Sequence, residues 1–502
     1  MAKTLNLKQK PYTAVDFFLE DVPRTLFPLM TNKILVEYGH EEILGYAEKQ
    51  ITEDGRFLPQ RRVFANKDPL HLRRTVKLDP VSEFYFYHIV HKNRNKFRKP
   101  HRIERRHFGY RFENGKPLAP SRSYAEFKSA VSYSTFQYEE FTFFDVSSYF
   151  NNIYHHDLHA WFAALGPDDP ADVPAFGKFL REINAGRSLD CLPQGLYPTK
   201  MIGNDFLRFI EDSSTIRAEQ IVRFMDDVYL FADDLNSLTA DFAHVQRLLG
   251  LKGLSVNAAK TRNTGTPQTD EADDHISELK MRLLKRRRHL IISHYSDDDD
   301  EIEPDDTGDA DLAEDEIDFI LSLLNKGNLS EDDAELILVV MRDHVSRIEQ
   351  HLSMFANGFP HLAKNLYGLC SDASDKEAVA RIILEVAGSG NHIGEFQLFW
   401  FGMMLEGYLM DTQAAPDLVH ALYTHESATD ISKAKILEIA DFRYGLPEMR
   451  ETFLREGRSD WLAWASAVGS RRMDKQARNY LLDYFANGSE MNRLIAGILQ
   501  KI

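Results

Sequence analysis

The amino-acid sequence predicts an α+β domain followed by an all-α domain. In the N-terminal half, the aromatic run Phe141–Phe144 and the apolar runs Glu219–Phe224 and Val228–Phe231 have the composition of strands. From about Phe319 onward the pattern changes, because apolar residues recur at three- and four-residue steps. That spacing is typical of amphipathic helices, and the segment could consist of stacked helix pairs of the HEAT type.

An acidic turn joins the two apolar runs of the N-terminal half. Asp226 and Asp227 lie at the tip of the hairpin that these runs predict. Carboxylates held at such a tip can bind hard divalent cations through oxygen. The alternative is an ordinary hairpin turn, because a second acidic pair, Asp233-Asp234, is expected only to begin the following helix.

A third aspartate ends the aromatic strand. Asp145 follows Phe141–Phe144, and the residues after it look helical. We therefore expect a buried strand to deliver Asp145 at its carboxyl end, with a simple strand-end cap as the alternative. Two further segments of interest are Leu192–Thr199, which lies between the carboxylates, and Leu251–Thr261, which follows the hairpin.

Taken in order, these segments resemble the palm of a reverse transcriptase over roughly residues 60–270. Asp145 with Phe150 resembles motif A, and Phe224–Asp227 resembles motif C. The residues that resemble motifs B and D are Gln194, Gly195, Thr199 and Asn204 for B, and Asn257 and Lys260 for D. Thr199 stands where many bacterial members carry serine, a departure that keeps the hydroxyl. The predicted α+β domain is thus expected to contain the fingers and palm.

The resemblance implies nucleotidyl transfer assisted by Mg²⁺, with Mn²⁺ as an alternative. Asp145, Val146 and Asp226 would hold two metal ions about 3.5–4 Å apart, which stabilise the entering and leaving oxygens. Asp227 would support the pair. Lys260 would stabilise or protonate the leaving pyrophosphate, unless it is an ordinary surface lysine.

Nucleotide-binding residues follow from the same resemblance. Phe150 would lie under the sugar of the incoming nucleotide, where its ring would exclude a 2′-hydroxyl, and Gln194 and Gly195 would line the same site. Arg73 and Arg74 form a local basic cluster that is expected to bind nucleotide, and the basic stretch His91–Arg111 resembles a fingers region facing a triphosphate or a short nucleic-acid strand. The alternatives are a core phenylalanine and solvated basic loops.

Composition and charge limit the remaining choices. The chain has 502 residues, of which 43% are hydrophobic, and only two cysteines, which excludes a disulfide framework. The N-terminus lacks the pattern of a signal peptide, and no apolar run is long enough to span a membrane, so we expect a cytoplasmic protein. The net charge of −17 is unusual for a polymerase.

The charge pattern also suggests domain boundaries. Asp297–Asp300 opens an acidic block that runs to Asp318 and follows a basic patch. We predict fingers and palm over residues 1–285, a linker or disordered loop over 286–318, and the helical domain over 319–502.

A reverse-transcriptase palm followed by a long helical half is similar to the abortive-infection (Abi) polymerases of bacteria, the group that includes AbiK. That resemblance implies phage defence, synthesis of DNA from deoxynucleoside triphosphates without a template, and a single-stranded product joined covalently to the protein. It also implies a homo-oligomer, a trimer or higher. Tyr12 is a candidate priming residue, with structural packing as the favoured alternative.

Two other functions stay open at this point. The chain could be a templated reverse transcriptase that copies a partner RNA. It could also be a non-catalytic phage-sensing scaffold, in which case the aspartates would be dispensable for resistance.

Overall fold

The structure is a computed structural model that describes residues 11–53, 55–97, 102–190, 192–264, 283, 312–325 and 329–502. These residues form two compact units. The palm unit contains the described residues up to Pro28, then His40–Gln60, and then Leu78 to residue 264. The helical unit contains Leu29–Gly39, Arg61–Lys77 and the described residues from 283 to the C-terminus.

Helices in the first half of the chain begin at recognisable caps. The Asp79 carboxylate accepts hydrogen bonds from the backbone of Val81 and Ser82, and Asp234 caps the helix that follows the acidic hairpin, as predicted. The helices are α1 (Ala14–Asp21), α2 (Met30–Thr52), α3 (Pro80–Lys92), α4 (Pro120–Gln137), α5 (Tyr149–Asn152), α6 (His155–Leu165), α7 (Asp172–Ile183), α8 (Tyr197–Phe206) and α9 (Leu235–Gly250).

Strands of the described residues form one five-stranded sheet and two hairpins. The strands are β1 (Arg61–Asn66), β2 (Leu72–Lys77), β3 (Arg105–Phe108), β4 (Phe112–Glu113), β5 (Lys116–Pro117), β6 (Glu140–Phe144), β7 (Gln220–Phe224), β8 (Asp227–Ala232) and β9 (Arg262–Asn263). The five-stranded sheet has the order β3-β7-β8-β6-β9, with β3 and β7 parallel and the other neighbours antiparallel. The predicted hairpin is therefore β7–β8, and the predicted aromatic strand is β6.

The two faces of this sheet carry different residues. Phe144 pairs with Val228, and the Phe144 ring packs against Phe242 of α9 at 5.3 Å between centroids. Because side chains alternate along a strand, Phe143 and its partner Tyr229 point to the other face. We call that second face the catalytic face, since Asp145 and Asp227 extend the same alternation.

The helical unit consists of helices that stack in two rows. Its helices are α10 (Glu314–Asn325), α11 (Glu331–Val340), α12 (Leu352–Gly358), α13 (Ala363–Ser371), α14 (Lys376–Gly388), α15 (Glu395–Met404), α16 (Ala415–Thr424), α17 (Asp430–Leu437), α18 (Leu446–Arg455), α19 (Trp461–Gly469), α20 (Lys475–Ala486) and α21 (Glu490–Leu499). The odd-numbered helices from α11 to α21 pack each on the next odd one. In the second row, α12, α14 and α16 pack in succession, and α18 packs on α20. Stacking of this kind is that of an α-solenoid and confirms the predicted helical half.

The helical unit reaches further toward the N-terminus than its predicted boundary at residue 319. Helix α10 begins at Glu314, within the predicted linker, whereas residues 286–311 of that linker lie outside the described residues. Buried Glu438 accepts hydrogen bonds from the backbone of Met30 and Thr31 at 2.9 and 2.7 Å, and Lys435 donates to it at 2.8 Å. Local sequence does not reveal such long-range contacts, which join an early segment to the helical half.

Within the described residues, no helix is both long and apolar enough to cross a membrane. Cys370 is a buried free thiol, and Cys191 lies outside the described residues.

Candidate active site

Strand register brings the three predicted carboxylates together. Because Phe144 pairs with Val228, the residue that follows β6, Asp145, comes opposite Asp227 at the start of β8. Asp226 lies beside them in the two-residue turn between β7 and β8. Its neighbour Met225 has φ of +56°, a left-handed conformation that costs a non-glycine residue energy and must be held by its surroundings.

A buried arginine holds this turn. Arg223 has no exposed surface, and its Nη1 donates to the Met225 carbonyl at 2.7 Å and to the Asn204 side-chain oxygen at 3.3 Å. Its Nε donates to the carboxylate of buried Glu211. The Asn204 oxygen also accepts from the Met225 backbone N–H at 3.3 Å. The motif B asparagine therefore supports the acidic turn.

Sequence reasoning did not identify Arg223 and Glu211 as functional residues. A signal for Arg223 was present, because a charged residue stands at an inward-facing position of an otherwise apolar strand. Glu211 had no comparable signal, since it lies in an irregular segment whose burial depends on the tertiary fold.

Burial and neighbouring carboxylates raise the affinity of Asp226 and Asp227 for protons. Burial, followed by the charges of Asp145 and Asp227 and a hydrogen bond with Asp145, raises the pKa of Asp226 to about 7. Burial and the charge of Asp145 also raise the pKa of Asp227, while Lys260 and Lys128 oppose that rise. Negative charge is therefore unfavourable at this site unless cations balance it.

A loop after α9 presents a lysine to Asp145. The Asn257 backbone N–H donates to the Asp145 carbonyl at 2.7 Å, and the Asn257 side chain donates to the Asp145 carboxylate at 3.2 Å. Lys260, three residues later, places its Nζ 3.1 Å from the same carboxylate. The two predicted motif D residues thus both contact Asp145.

The donor set suits a hard divalent cation. Aspartate oxygens from two adjacent strand ends are the ligands that Mg²⁺ prefers, and the raised pKa values of Asp226 and Asp227 indicate a need for positive charge. Among the described side chains, no three His, Cys, Asp or Glu groups are already spaced as an ion cage. A hydrogen bond links Asp145 and Asp226. Loss of the shared proton would free both carboxylates for a cation.

Val146 can take part only through its backbone, because its side chain is buried. It faces Val256 in an isolated antiparallel bridge, and the flanking hydrogen bonds run from Ser147 N–H to the Ser255 carbonyl and from Asn257 N–H to the Asp145 carbonyl. Neither of these bonds uses the Val146 carbonyl, so its predicted role as a ligand fits the local geometry.

The predicted nucleotide-binding residues of motifs A and B lie in the palm unit. The Phe150 ring packs against Gly203 of α8, where an added Cβ would come within 2.6 Å of the ring. Gln194 donates to the Asn151 side chain at 2.9 Å, and Asn151 in turn donates to Asp190 at 2.6 Å. Gly195 has φ of +95°. A glycine therefore suits the backbone conformation at the loop before α8.

Arg73 and Arg74 do not belong to the palm unit. They lie exposed on β2, paired in register with Ala65 and Phe64 of β1, in a hairpin that is part of the helical unit. We predicted that these two arginines belong to the fingers and palm domain, but the structure groups them with the helical unit. The pairing of β1 with β2 and the packing of β1 on α15 determine this assignment.

Tyr12 is held in a structural contact. Its hydroxyl donates to Glu20 at 2.6 Å, and its ring packs against His91 and Phe112. Burial and the hydrogen bond to Glu20 raise the pKa of the phenol, which opposes formation of a nucleophilic phenolate.

Several cations of the basic stretch 91–111 bind other protein groups. Lys92 pairs with Asp169 and Asp172, and Lys96 pairs with Asp168 at 2.5 Å. Arg105 donates to the carbonyls of Ile216 and Ala218, within the palm unit. These side chains form ion pairs and hydrogen bonds within the protein, so they do not form a row of cations that is available to phosphates.

Comparison with known families agrees with this geometry. Residues 77–298 match the family model described as reverse transcriptase (RNA-dependent DNA polymerase). This segment is a reverse transcriptase domain. This domain is a nucleotidyltransferase, and the match covers fewer than half of the 502 residues. The finer resemblance to Abi polymerases is not part of this match.

Among solved structures, the chain is similar to telomerase from Candida albicans in complex with a TWJ fragment of telomeric RNA. The sequence identity is 12%, the TM-score is 0.32, and the alignment covers 93% of this chain and 68% of the telomerase chain. No curated protein matched the sequence.

Proposed function

We propose that this chain is an abortive-infection polymerase that synthesises DNA from deoxynucleoside triphosphates without a template, priming on its own chain. The observation that carries the nucleotidyl-transfer step is the meeting of Asp145, Asp226 and Asp227 at two adjacent strand ends, with Lys260 3.1 Å from Asp145. The finer assignment rests on the order of the palm motifs and on the helical second half.

In this mechanism Asp145 and Asp226 would hold Mg²⁺, and Asp227 would add negative charge beside them. Bound Mg²⁺ would supply charge stabilisation for the attacking and leaving oxygens. Asp226 must first lose its proton, because its pKa is about 7 and only the carboxylate is a good ligand. Lys260, which is about half exposed, is free to turn from Asp145 toward the pyrophosphate as it leaves.

Phe150 is proposed to select the sugar. Contact with Gly203 limits how far its ring can move away from the site. A ring held in this way would meet a 2′-hydroxyl, so deoxynucleotides are favoured.

Synthesis without a template is supported by how the protein uses its cations. A long duplex needs many Lys and Arg contacts to phosphates, yet the net charge is −17 and cations such as Lys92, Lys96 and Arg105 bind protein groups. A short single strand requires fewer such contacts.

The priming hydroxyl is proposed to be a tyrosine other than Tyr12, because the Tyr12 phenol is bound to Glu20. The chain has 20 tyrosines. Mass spectrometry of the labelled protein would identify the nucleotide-bearing one. A homo-oligomer, a trimer or higher, is also proposed, and light scattering of the purified protein would test it.

One incubation tests the central claim. Purified protein receives Mg²⁺ and labelled deoxynucleotides without primer or template, and the products are separated on a denaturing protein gel. We expect label to migrate with the wild-type chain and to disappear after protease treatment. Asp226→Ala should abolish the signal, whereas Asp233→Ala, which removes an exposed aspartate from the other acidic pair, should retain it.

Two outcomes would contradict this proposal. Incorporation that appears only with added primed RNA would favour a templated reverse transcriptase, which the description of the matched family supports. Phage resistance that survives replacement of both Asp226 and Asp227 by alanine would favour a non-catalytic scaffold.

A further inference from the structure

Helix α4 packs on the catalytic face of the sheet. Phe127 of α4 is 2% exposed and forms a core cluster with Val222 of β7 and Phe231 of β8. Its ring centroid lies 5.6 Å from that of Phe224 and 6.0 Å from that of Tyr229. The helix is therefore fixed over strands β7 and β8, beside the acidic turn that joins them.

This packing brings an exposed lysine toward the carboxylates. Lys128 follows Phe127, and its Nζ lies 5.2 Å from the centroid of the Tyr124 ring. Tyr124 in turn packs edge-on against Phe224, at 5.2 Å between centroids, and Phe224 is the register partner of Asp227. A cation–π contact of this kind restrains an ammonium without neutralising it.

Lys128 is exposed, and its ammonium lies over the Tyr124 ring. Of the described carboxylates, none lies within ion-pair distance of Lys128, so its charge is available to a ligand.

The two lysines approach the carboxylates from different parts of the sheet. Lys260 comes from the loop that leads into β9, next to β6, whereas α4 lies over β3, β7 and β8. In phosphoryl transfer, the attacking and leaving oxygens are roughly in line on opposite sides of the phosphorus. If Lys260 acts on the pyrophosphate side, as proposed above, then Lys128, which comes from a different part of the sheet, is assigned to the side of the attacking strand.

We propose that Lys128, held by the Tyr124 ring, binds a backbone phosphate near the 3′ end of the single strand being extended. This inference rests on the proposed nucleotidyl transfer, and it adds a strand-binding residue outside the four palm motifs. A strand end brought close to three aspartates is repelled by them, and Lys128 offsets that repulsion where the strand arrives. Tyr124 is a positioning residue, since it acts through the lysine.

Strand binding can be measured apart from synthesis. The probe is a 5′-fluorescein-labelled oligo(dT) of about ten nucleotides, within the usual site size for single strands. Fluorescence anisotropy with Mg²⁺ over a range of KCl concentrations gives the dissociation constant and its salt dependence. The variants are Lys128→Gln, Lys128→Arg and Tyr124→Leu. Arg122→Gln is the matched control, because it removes an exposed cation from the same helix.

We expect Lys128→Gln to weaken binding about tenfold, as loss of one charged hydrogen bond does, and to reduce the logarithmic salt slope by about 0.7. Lys128→Arg should retain both values, and Tyr124→Leu should lose part of the affinity. Arg122→Gln should bind as the wild type does. The KM for deoxynucleotides should not change in Lys128→Gln.

Three results would overturn the inference. The first is a Lys128→Gln variant with wild-type oligonucleotide affinity and salt slope, and the second is an equal loss of affinity in Arg122→Gln. The third is a Lys128→Gln variant with a raised KM for deoxynucleotides and unchanged oligonucleotide binding. The last result would assign Lys128 to the triphosphate instead. A wild-type protein that binds no oligonucleotide would also refute it. Failure of the wild-type protein to label itself refutes the proposed protein priming instead and leaves the binding comparison valid.

Discussion

Acidification should raise the Mg²⁺ concentration that synthesis requires, by an amount that the pKa of Asp226 determines. With a pKa of about 7, this carboxyl is ionised in roughly 90% of molecules at pH 8 and in roughly 10% at pH 6. A proton and a cation compete for the same oxygens. The Mg²⁺ concentration for half-maximal incorporation should therefore rise about tenfold between pH 8 and pH 6.

The assay is the initial rate of deoxynucleotide incorporation, measured against Mg²⁺ concentration at several pH values and constant ionic strength. The rate at saturating Mg²⁺ should fall much less than the rate at low Mg²⁺, because excess cation displaces the proton. A half-saturating Mg²⁺ concentration that stays constant from pH 8 to pH 6 would refute the assignment of a raised pKa to the metal site.

The same pKa predicts an effect on the metal-free protein. Asp226 has an ordinary pKa of 3.8 when unfolded and about 7 when folded, so the folded state binds more protons between these values. Stability should therefore decrease as pH rises from about 4 to about 7, by at most about 4 kcal/mol. Asp226→Asn should lack this decrease in urea unfolding with EDTA, and an unchanged pH dependence would contradict the reasoning.

Three further predictions concern single residues. Phe150→Val should admit ribonucleotides, and an unchanged ratio of ribonucleotide to deoxynucleotide kcat/KM would refute the steric role of the ring. Arg223→Leu should cost about 3–5 kcal/mol of unfolding free energy by leaving Glu211 buried and unpaired, whereas Arg223→Leu with Glu211→Leu should recover much of it. An Arg223→Leu variant that is as stable as the wild type in urea unfolding would disprove that account. Tyr12→Phe should label itself as the wild type does, and loss of label with normal folding would make Tyr12 the priming residue after all.

The agreement between sequence and structure is closest in the palm. Asp145, Asp226 and Lys260 could be found because each follows a short local pattern: the end of an aromatic strand, the tip of a hairpin and a loop after a helix. The strand order could not be read in the same way, since β3 pairs in parallel with β7 across a long stretch of chain. Pairing of that kind depends on contacts remote in sequence.

Arg73 and Arg74 illustrate the limit of local reasoning. Their charge was visible in the sequence, but their place in the molecule depends on β1 packing against α15, far along the chain. Lys128 illustrates the converse. It looks like an ordinary surface lysine on α4, and only the packing of Phe127 on the sheet brings it near Asp227.

By itself, the sequence determined the chemistry that this protein carries, because the residue types and their order along the chain are enough to indicate a carboxylate-based nucleotidyltransferase. The tertiary structure alone decided which groups tune and support that chemistry. Arg223 and Glu211 hold the acidic turn, Asn257 contacts Asp145, and burial together with two neighbouring carboxylates raises the pKa of Asp226. The physical reason is that burial and the distance between charges are properties of the folded chain, to which residues far apart in sequence contribute.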